Sequence, residues 1–475
     1  MMNPIRACLL LASLAGAGVA HAQASQASAP AKSDGSLTWN GITLYGIVDI
    51  GVQYQTHGVP SSDYFPAGTE SIIQKNSAGS VTAVTPSNLS QSRIGLSGVE
   101  PLIGDWSGVF RLETFFNPQS GDLSDALKSQ VLNNGRALAA QSTNVDSSVA
   151  GQLFSGAAYA GFSSPTVGSF TFGRHVTPLA DGIAKYDPMG AAQAFSLIGF
   201  SGTTAGGGDT EDRRLDQSLK YSAKYQWLHL GALYQFSGSS GSSNTAFQAT
   251  VGADFAGLSV DAYYAKKYDA VATAALSAAQ VSGLPKLCTT SVTPPENPLG
   301  AQCYSAGNSL AATISDNTTY AGMALYKFGT VTLYGAYEHI NFANPNSPLD
   351  PGALTIGGYV LAYVNNKAYT SNKTLQVFWG GVKWTVMPAL ELTASYYGYK
   401  QNAFSAEAAL AGCSTKKSSA CSGTENAVAL VGDYRLNKRF DVYLGTFWTG
   451  VQDGLANGFL NTSTLTTTTG LRFKF

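Results

Sequence analysis

The chain consists of a succession of short segments, about ten residues each, in which apolar and polar side chains alternate. The segment ITLYGIVDIGVQY (42–54) places Asp49 and Gln53 on one face and, on the other, Ile42, Leu44, Val48, Ile50, Val52 and Tyr54. A period of two predicts β-strands with one apolar face. Beyond the N-terminus, no apolar run approaches the roughly 20 residues of a membrane helix. The sequence therefore predicts an all-β fold.

The alternation continues to the last residue of the chain. In TLTTTTGLRFKF, one face carries Leu465, Thr467, Thr469, Leu471, Phe473 and Phe475. Chain ends usually fray unless a neighbouring element holds them. The final strand is therefore expected to pair with another strand, and Phe475 is expected at the aromatic girdle of a membrane boundary.

The connections between these segments differ in length at the two ends. Short turns such as SSPTVGS and VMPA alternate with long polar loops at 55–91, 118–152, 177–213, 270–316, 343–372 and 402–423. Charged residues make up only 12% of the chain, about half the share of a soluble domain. These features predict a transmembrane antiparallel β-barrel of about 16 strands, with short periplasmic turns and long extracellular loops. In lipid, the first strand must then meet the last. A secreted β-sandwich or propeller is the alternative, but no fixed propeller period is present.

The N-terminus has the pattern of a secretory signal peptide. MMNPIRACLLLASLAGAGVAHA combines Arg6, an apolar run and a small-residue cleavage site, so we expect cleavage after Ala22. Residues 23–40 read as a disordered polar spacer, and residues 41–475 as the barrel domain.

Four cysteines remain after the signal peptide. Cys288 with Cys303 and Cys413 with Cys421 form two close pairs in polar, loop-like segments. In an oxidising compartment such pairs predict disulfides within loops. Metal binding is the rival interpretation, although neither pair has Cys-x-x-Cys spacing or a nearby histidine.

Other classes of function have little support. A formal net charge of −1 argues against a nucleic-acid partner. No histidine has a second one at metal-ligand spacing, so neither a metal nor another cofactor is expected. GTTAGGGDT lacks the Lys-Ser/Thr of a phosphate-binding loop. A barrel hydrolase is the less favoured alternative, because no motif marks a nucleophile, and the chain is predicted not to be an enzyme.

Five stretches in order resemble the Gram-negative outer-membrane general porins, which are trimeric and sixteen-stranded. They are TLYGIVDIGV (43–52), SRIGLSGVE (92–100), FRLETFFNPQSG (110–121), SFTFGRHVTPLADGIAKYDPMG (169–190) and the terminal GLRFKF. The resemblance implies a water-filled channel for passive diffusion of small hydrophilic solutes across the outer membrane. It also implies a homotrimer, contact with membrane lipid and lipopolysaccharide, and a final Phe475 that the outer-membrane assembly machinery reads.

In this family the third long loop folds into the pore, and its acidic residues face arginines on the wall. Carried over, the loop acids are Asp181 and Asp187, and the wall residues are Arg93, Arg111, Arg174 and Arg214, with Glu113 as a partner of Arg111. Asp181 and Asp187 have a second interpretation as anchors of the loop.

The alternation tests part of this assignment independently. Arg93, Arg111 and Arg214 share parity with polar residues of their strands and are expected to face the lumen, whereas Arg213 is not. Arg174 shares parity with Phe172, so it reaches the lumen only if the chain leaves the sheet near Gly173.

A substrate-selective channel for a sugar or an organic acid is the closest alternative function. Several tyrosines face inward by parity and could form a binding track: Tyr45, Tyr263, Tyr334, Tyr397 and Tyr443.

Overall fold

The fold is a closed antiparallel barrel in which each strand pairs with its neighbours in the chain. The computed structural model describes residues 37–65, 79–143, 148–199, 213–238, 244–284, 304–404 and 419–475. Within these residues, sixteen strands form the wall. They are β1 (Ile42–Gln55), β2 (Arg93–Pro101), β3 (Ser107–Phe115), β4 (Ala157–Ser164), β5 (Gly168–Val176), β6 (Arg214–Tyr225), β7 (Leu228–Gln235), β8 (Ala246–Phe255), β9 (Leu258–Ala274), β10 (Ser309–Phe328), β11 (Val331–Ala343), β12 (Lys373–Met387), β13 (Leu390–Gln401), β14 (Gly423–Arg435), β15 (Phe440–Asp453) and β16 (Ser463–Lys474).

The last strand closes the barrel on the first. β16 pairs antiparallel with β1, with Asp49 opposite Arg472 and Ile47 opposite Lys474. The terminal residue takes part, since the amide of Gly46 donates to the carbonyl of Phe475 at 2.9 Å and the amide of Phe475 donates to the carbonyl of Gly46 at 3.1 Å. The predicted barrel and its closure are thereby confirmed.

The two faces of the wall follow the alternation in the sequence. Exposed outward-facing side chains include Leu96, Phe172, Leu230, Val251, Leu333 and Leu444. Inward-facing side chains include Asp49, Gln53, Glu113, Lys220, Asp261 and Thr468. An apolar outer surface matches lipid, and a polar inner face matches a water-filled lumen.

Within the described ranges, three short α-helices lie in the connections: α1 (Ala126–Leu132), α2 (Pro178–Tyr186) and α3 (Ala278–Gly283). Four further short strands extend the sheet, namely Leu37–Trp39, Val81–Pro86, Thr355–Ile356 and Tyr359–Asn365. Leu37–Trp39 falls inside the predicted polar spacer, yet it pairs with β1 because its residues continue the alternation. None of the helices in the described ranges is long and apolar enough to span a membrane.

The strands on one side of the rim are longer than the sequence suggested. Residues 270–316 were predicted as a loop, but β9 continues to Ala274 and β10 begins at Ser309. The reason is an apolar cluster at the mouth of the barrel, in which Leu127 and Val131 of α1 pack with Val271, Leu310, Ala312, Ile314 and Leu361. Helix α1 belongs to the β3–β4 connection, so this cluster ties distant parts of the rim together.

Candidate pore constriction

The connection between β5 and β6 begins with a helix whose start is well specified. The hydroxyl of Thr177 accepts a hydrogen bond from the amide of Ala180 at 3.2 Å, and Pro178 occupies the first helical turn. Asp181 lies in the first turn and Lys185 in the last, which suits the helix dipole. One side of α2 is buried, and Asp181, Ala184 and Lys185 form its half-exposed side.

Residues 177–199, here called the constriction loop, lie inside the barrel against its inner wall. Their apolar side chains form one buried cluster with side chains of β9 to β15. The loop contributes Leu179, Ile183, Tyr186, Met189, Phe195, Leu197 and Ile198. The wall contributes, among others, Tyr263, Phe342, Val377, Trp379, Tyr397, Tyr399, Tyr443 and Phe447. Burial of this apolar surface stabilises the inward position. This cluster has no buried member on β1 to β5, and the inner face of those strands is here called the uncovered wall.

Asp187 fixes the middle of the constriction loop. Its Oδ1 accepts hydrogen bonds from the hydroxyl of Tyr397 at 2.6 Å and the amide of Met189 at 3.1 Å, and its Oδ2 accepts from the amide of Ala191 at 2.8 Å. Burial raises the pKa of this carboxyl above its ordinary value. The sequence left two roles open for Asp187, and its contacts are those of a loop anchor facing β13 rather than a group facing the arginines.

Further hydrogen bonds hold the rest of the loop. The indole of Trp379 donates to the carbonyl of Tyr186 at 3.0 Å, and the hydroxyl of Tyr399 donates to the carbonyl of Leu197 at 3.2 Å. Arg213, expected to face away from the lumen, donates instead to the carbonyl of Gly199 at 2.7 Å. It precedes β6, so strand parity does not govern its direction.

The inward tyrosines are largely engaged by these contacts. Tyr397 is bound to Asp187, the ring of Tyr263 lies against Gly182 of α2, and Tyr443 is covered by Phe195. Tyrosines that are buried under the loop do not offer a continuous track to a solute.

The uncovered wall carries a cluster of charge around Glu113. Its Oε2 lies 2.6 Å from Nη2 of Arg111 and 3.8 Å from Nε of Arg93. The hydroxyl of Tyr45 donates to the same oxygen at 3.0 Å and accepts from Nε of Arg111 at 2.7 Å. Arg93 and Arg111 are partly exposed, whereas the carboxylate of Glu113 is buried beneath them.

Arg214 joins this wall from the side. Its Nε donates to the carbonyl of Gly156 at 3.2 Å, and its guanidinium lies 4.6 Å from the ring centroid of Phe115. It also lies within electrostatic range of Glu113. Three guanidinium groups therefore surround one carboxylate.

Arg174 stays on the same face as Phe172, because it lies opposite Ala158 of β4. The next residue, His175, is the one that turns inward, where it stacks on Tyr159. The β5–β6 register shifts between Gly173 and His175, and Gly173 has φ +138°, which favours glycine. Arg174 binds the carboxylate of Asp216 at 2.6 Å and the carbonyl of Ser155 at 3.0 Å. It thus supports the loop above β4 and does not join the Glu113 cluster.

Asp181 faces the uncovered wall through a residue that sequence reasoning missed. Its Oδ2 lies 2.5 Å from Nζ of Lys220. Tyr159 of β4 interacts electrostatically with both Arg111 and Asp181. The alternation placed Lys220 on the inner face of β6, but nothing in the sequence indicated that α2 would pack beside it.

The remaining predicted sites are partly outside the described residues. Cys421 is disulfide-bonded, whereas Cys288, Cys303 and Cys413 lie outside the described ranges. In the part of the chain that the structure describes, no three His, Cys, Asp or Glu side chains group as they would to hold a metal ion.

Comparison with known proteins identifies the family. A family model described as Gram-negative porin matches residues 7–448. Among solved structures, the anion-selective porin from Comamonas acidovorans has a TM-score of 0.57 at 18% identity, covering 91% of this chain and 99% of that chain. OmpT, an outer membrane protein of Vibrio cholerae, has a TM-score of 0.50 at 12% identity, covering 93% and 100%. Its trimer form also matches, with a TM-score of 0.50 at 13% identity, covering 91% and 99%. No curated protein sequence matches the chain.

Proposed function

Because the chain belongs to the Gram-negative porin family, we propose that its channel is narrowest between the constriction loop and the wall around Glu113. The protein forms an outer-membrane channel for passive diffusion. The observation that carries the proposal is the anchoring of residues 177–199 along the wall from β9 to β15. Solutes then pass between the half-exposed side of α2 and the arginines of β2 and β3.

The charge at this gap favours anions. Arg93, Arg111 and Arg214 surround the single carboxylate of Glu113. Lys220 offsets Asp181 on the loop side. Fixed positive charge beside a narrow water column raises the local concentration of mobile anions. The Comamonas acidovorans structure, which has the same fold, is named as anion-selective, and we extend that preference to this chain.

The other expectations drawn from the family belong to the same proposal. We assign a homotrimer, and the Vibrio cholerae protein with this fold is described in a trimer form. Membrane lipid, lipopolysaccharide and the assembly machinery are the proposed contacts outside the pore. Residues 1–22 are the proposed signal peptide, residues 23–40 the spacer, of which Leu37–Trp39 already pairs with β1, and residues 41–475 the barrel domain. The transported solutes are small and hydrophilic, and no catalysis is involved.

The size limit of the gap provides the test. Ala184 lies on the half-exposed side of α2, so Ala184→Trp should lower the size of uncharged sugars that enter protein-loaded liposomes. Thr332→Trp is the matched control, because Thr332 lies on β11 beside the short turn to β10 and away from the loop. Equal effects of the two substitutions would contradict a constriction at α2.

A further inference from the structure

The second strand of the wall is interrupted next to the barrel seam. Both Val81–Pro86 and β2 pair with β1, on either side of Asp49. Residues 87–92, here called the notch segment, leave the sheet between them, and Ser87 adopts φ +63°. Such backbone needs hydrogen-bond partners other than a neighbouring strand.

Asp49 supplies those partners. Its Oδ2 accepts from the amides of Leu89 and Ser90 at 2.9 and 2.7 Å. Its backbone carbonyl accepts from the amide of Ser87 at 2.7 Å. The side chain is completely buried. A carboxylate is an acceptor-only group, so it suits a site in which every neighbour donates.

The same carboxylate binds the opposite side of the seam. Its Oδ1 accepts from the hydroxyl of Tyr443 at 2.6 Å, and that hydroxyl in turn accepts from Nδ2 of Asn88 at 3.1 Å. Arg472 donates to the hydroxyl of Ser90 at 2.7 Å. Asp49, Asn88 and Tyr443 therefore form one connected unit, which we call the seam clasp.

The distal end of the constriction loop rests on this clasp. The amide of Ala194 donates to the backbone carbonyl of Asn88 at 2.9 Å. The ring of Phe195 meets that of Tyr443 edge-on, with centroids 6.3 Å apart. Ala194 and Phe195 are both fully buried.

We propose that Asp49 is a positioning residue for the channel, which holds the notch segment and through it the distal end of the constriction loop. This inference rests on the proposed function of that loop. The proximal end is held separately, by α2 and its contacts with the wall. Loss of the clasp should therefore release the distal end and leave the proximal end in place.

Asp49→Asn tests this, because the amide brings a donor into a site made of donors. The substitution is combined with Ala194→Cys or with Ile183→Cys, two fully buried positions at opposite ends of the loop. The rate at which a water-soluble maleimide modifies the introduced cysteine is measured on the assembled protein. The parent chain, which lacks that cysteine, gives the background rate. We expect Asp49→Asn to accelerate modification at position 194 by about tenfold or more and to leave position 183 unchanged.

Two further variants complete the test. Glu391→Gln neutralises another carboxylate of the inner wall, which pairs with Lys383 and Arg435 near a short turn, and should change neither rate. Tyr443→Phe keeps the ring against Phe195 and removes the hydroxyl, so it should accelerate modification at position 194 by a smaller factor. If Asp49→Asn does not assemble, Tyr443→Phe decides the matter.

An unchanged rate at position 194, or an equal rise at both positions, would overturn the proposal. Measuring the current through the channel distinguishes a failure of the seam clasp from a failure of the proposed constriction. Faster modification at position 194 with increased current noise supports both. Faster modification at position 194, with no change in the current or in the largest sugar that enters liposomes, supports the clasp and contradicts a constriction set by this loop.

Discussion

The hydroxyl of Tyr397 donates a 2.6 Å hydrogen bond to Oδ1 of Asp187, which joins the middle of the constriction loop to strand β13. Asp181, only six residues earlier in the chain, instead pairs with Lys220 beside the uncovered wall. The two acids of the loop thus have different surroundings, and we expect them to affect the channel differently.

Asp187→Asn and Tyr397→Phe should each loosen the loop without shifting ion preference. Either change leaves a buried partner short of a hydrogen bond, at a cost of about 1–3 kcal/mol. Single-channel recordings should show increased current noise with an unmoved reversal potential in a salt gradient. Asp181→Asn is the matched comparison, since it leaves Lys220 without its carboxylate partner and should move the potential toward anions with little added noise. A shifted reversal potential in the Asp187 variant, or increased current noise in the Asp181 variant, would contradict these roles.

The raised pKa of Asp187 predicts a pH dependence of loop docking. Burial disfavours the charged carboxylate in the docked loop, whereas a released loop would have an ordinary aspartate pKa of about 4. Docking of the loop is therefore strongest when the pH is below the pKa of Asp187 in the released loop. It weakens as the pH rises through the higher pKa of Asp187 in the docked loop. Current noise should increase as the pH is raised from about 4 to 7. Asp187→Asn should remove most of this dependence, and an identical profile in both proteins would contradict it.

The seam at the chain terminus makes Gly46 sensitive to any side chain. A Cβ at Gly46 would lie 2.3 Å from Cζ of Phe475 and 2.8 Å from the carbonyl oxygen of Arg93. Gly46→Val should therefore reduce assembled, heat-modifiable barrel several-fold, as should deletion of Phe475. Gly322→Val is the control, since nothing lies within 4 Å of a Cβ at that position in β10. Comparable assembly of the two valine variants, measured by electrophoresis of heated and unheated samples, would contradict the role of the seam.

The disulfides remain a prediction that peptide mapping can check. Cys421 is oxidised, and we expect its partner to be Cys413, with Cys288 joined to Cys303. Digestion without reductant should release two linked peptides, each spanning one loop. A crossed pairing, or a free thiol at Cys288 or Cys303, would show that the close spacing in the sequence misled the assignment.

The wall of the barrel could be predicted from the sequence because strand periodicity is local information. Alternation placed Arg93, Arg111 and Arg214 on the inner face, and the terminal pattern predicted closure onto β1. Parity also indicated that Arg174 shares the face of Phe172 if the strand continues past Gly173, and the strand does continue to Val176.

The contacts of the loop could not be predicted in the same way. Which wall residue meets Asp187, Asp181 or Arg213 depends on the path of residues 177–199 across the lumen, and that path is set by packing against strands more than 150 residues away, such as β13 and β15. Strand parity also gave no sign that the inward Tyr397 and Tyr443 would be covered. Residues 55–91 were predicted as one loop, and the strand Val81–Pro86 within them was missed because its pairing partner, β1, is not its neighbour in the local sequence.

The arginines of β2 and β3 are proposed to line the narrowest part of the channel. Reversal potentials in a salt gradient test this proposal most directly, for the parent protein, for Arg93→Gln with Arg111→Gln, and for the control Arg439→Gln in the exposed turn between β14 and β15. We expect anion preference in the parent and a shift toward cations in the double variant. The shift should be larger at about 0.01 M than at about 0.1 M salt, because screening lengths fall from about 30 to 10 Å, and the control should not move. A double variant whose potential matches the parent at low salt would contradict the proposal.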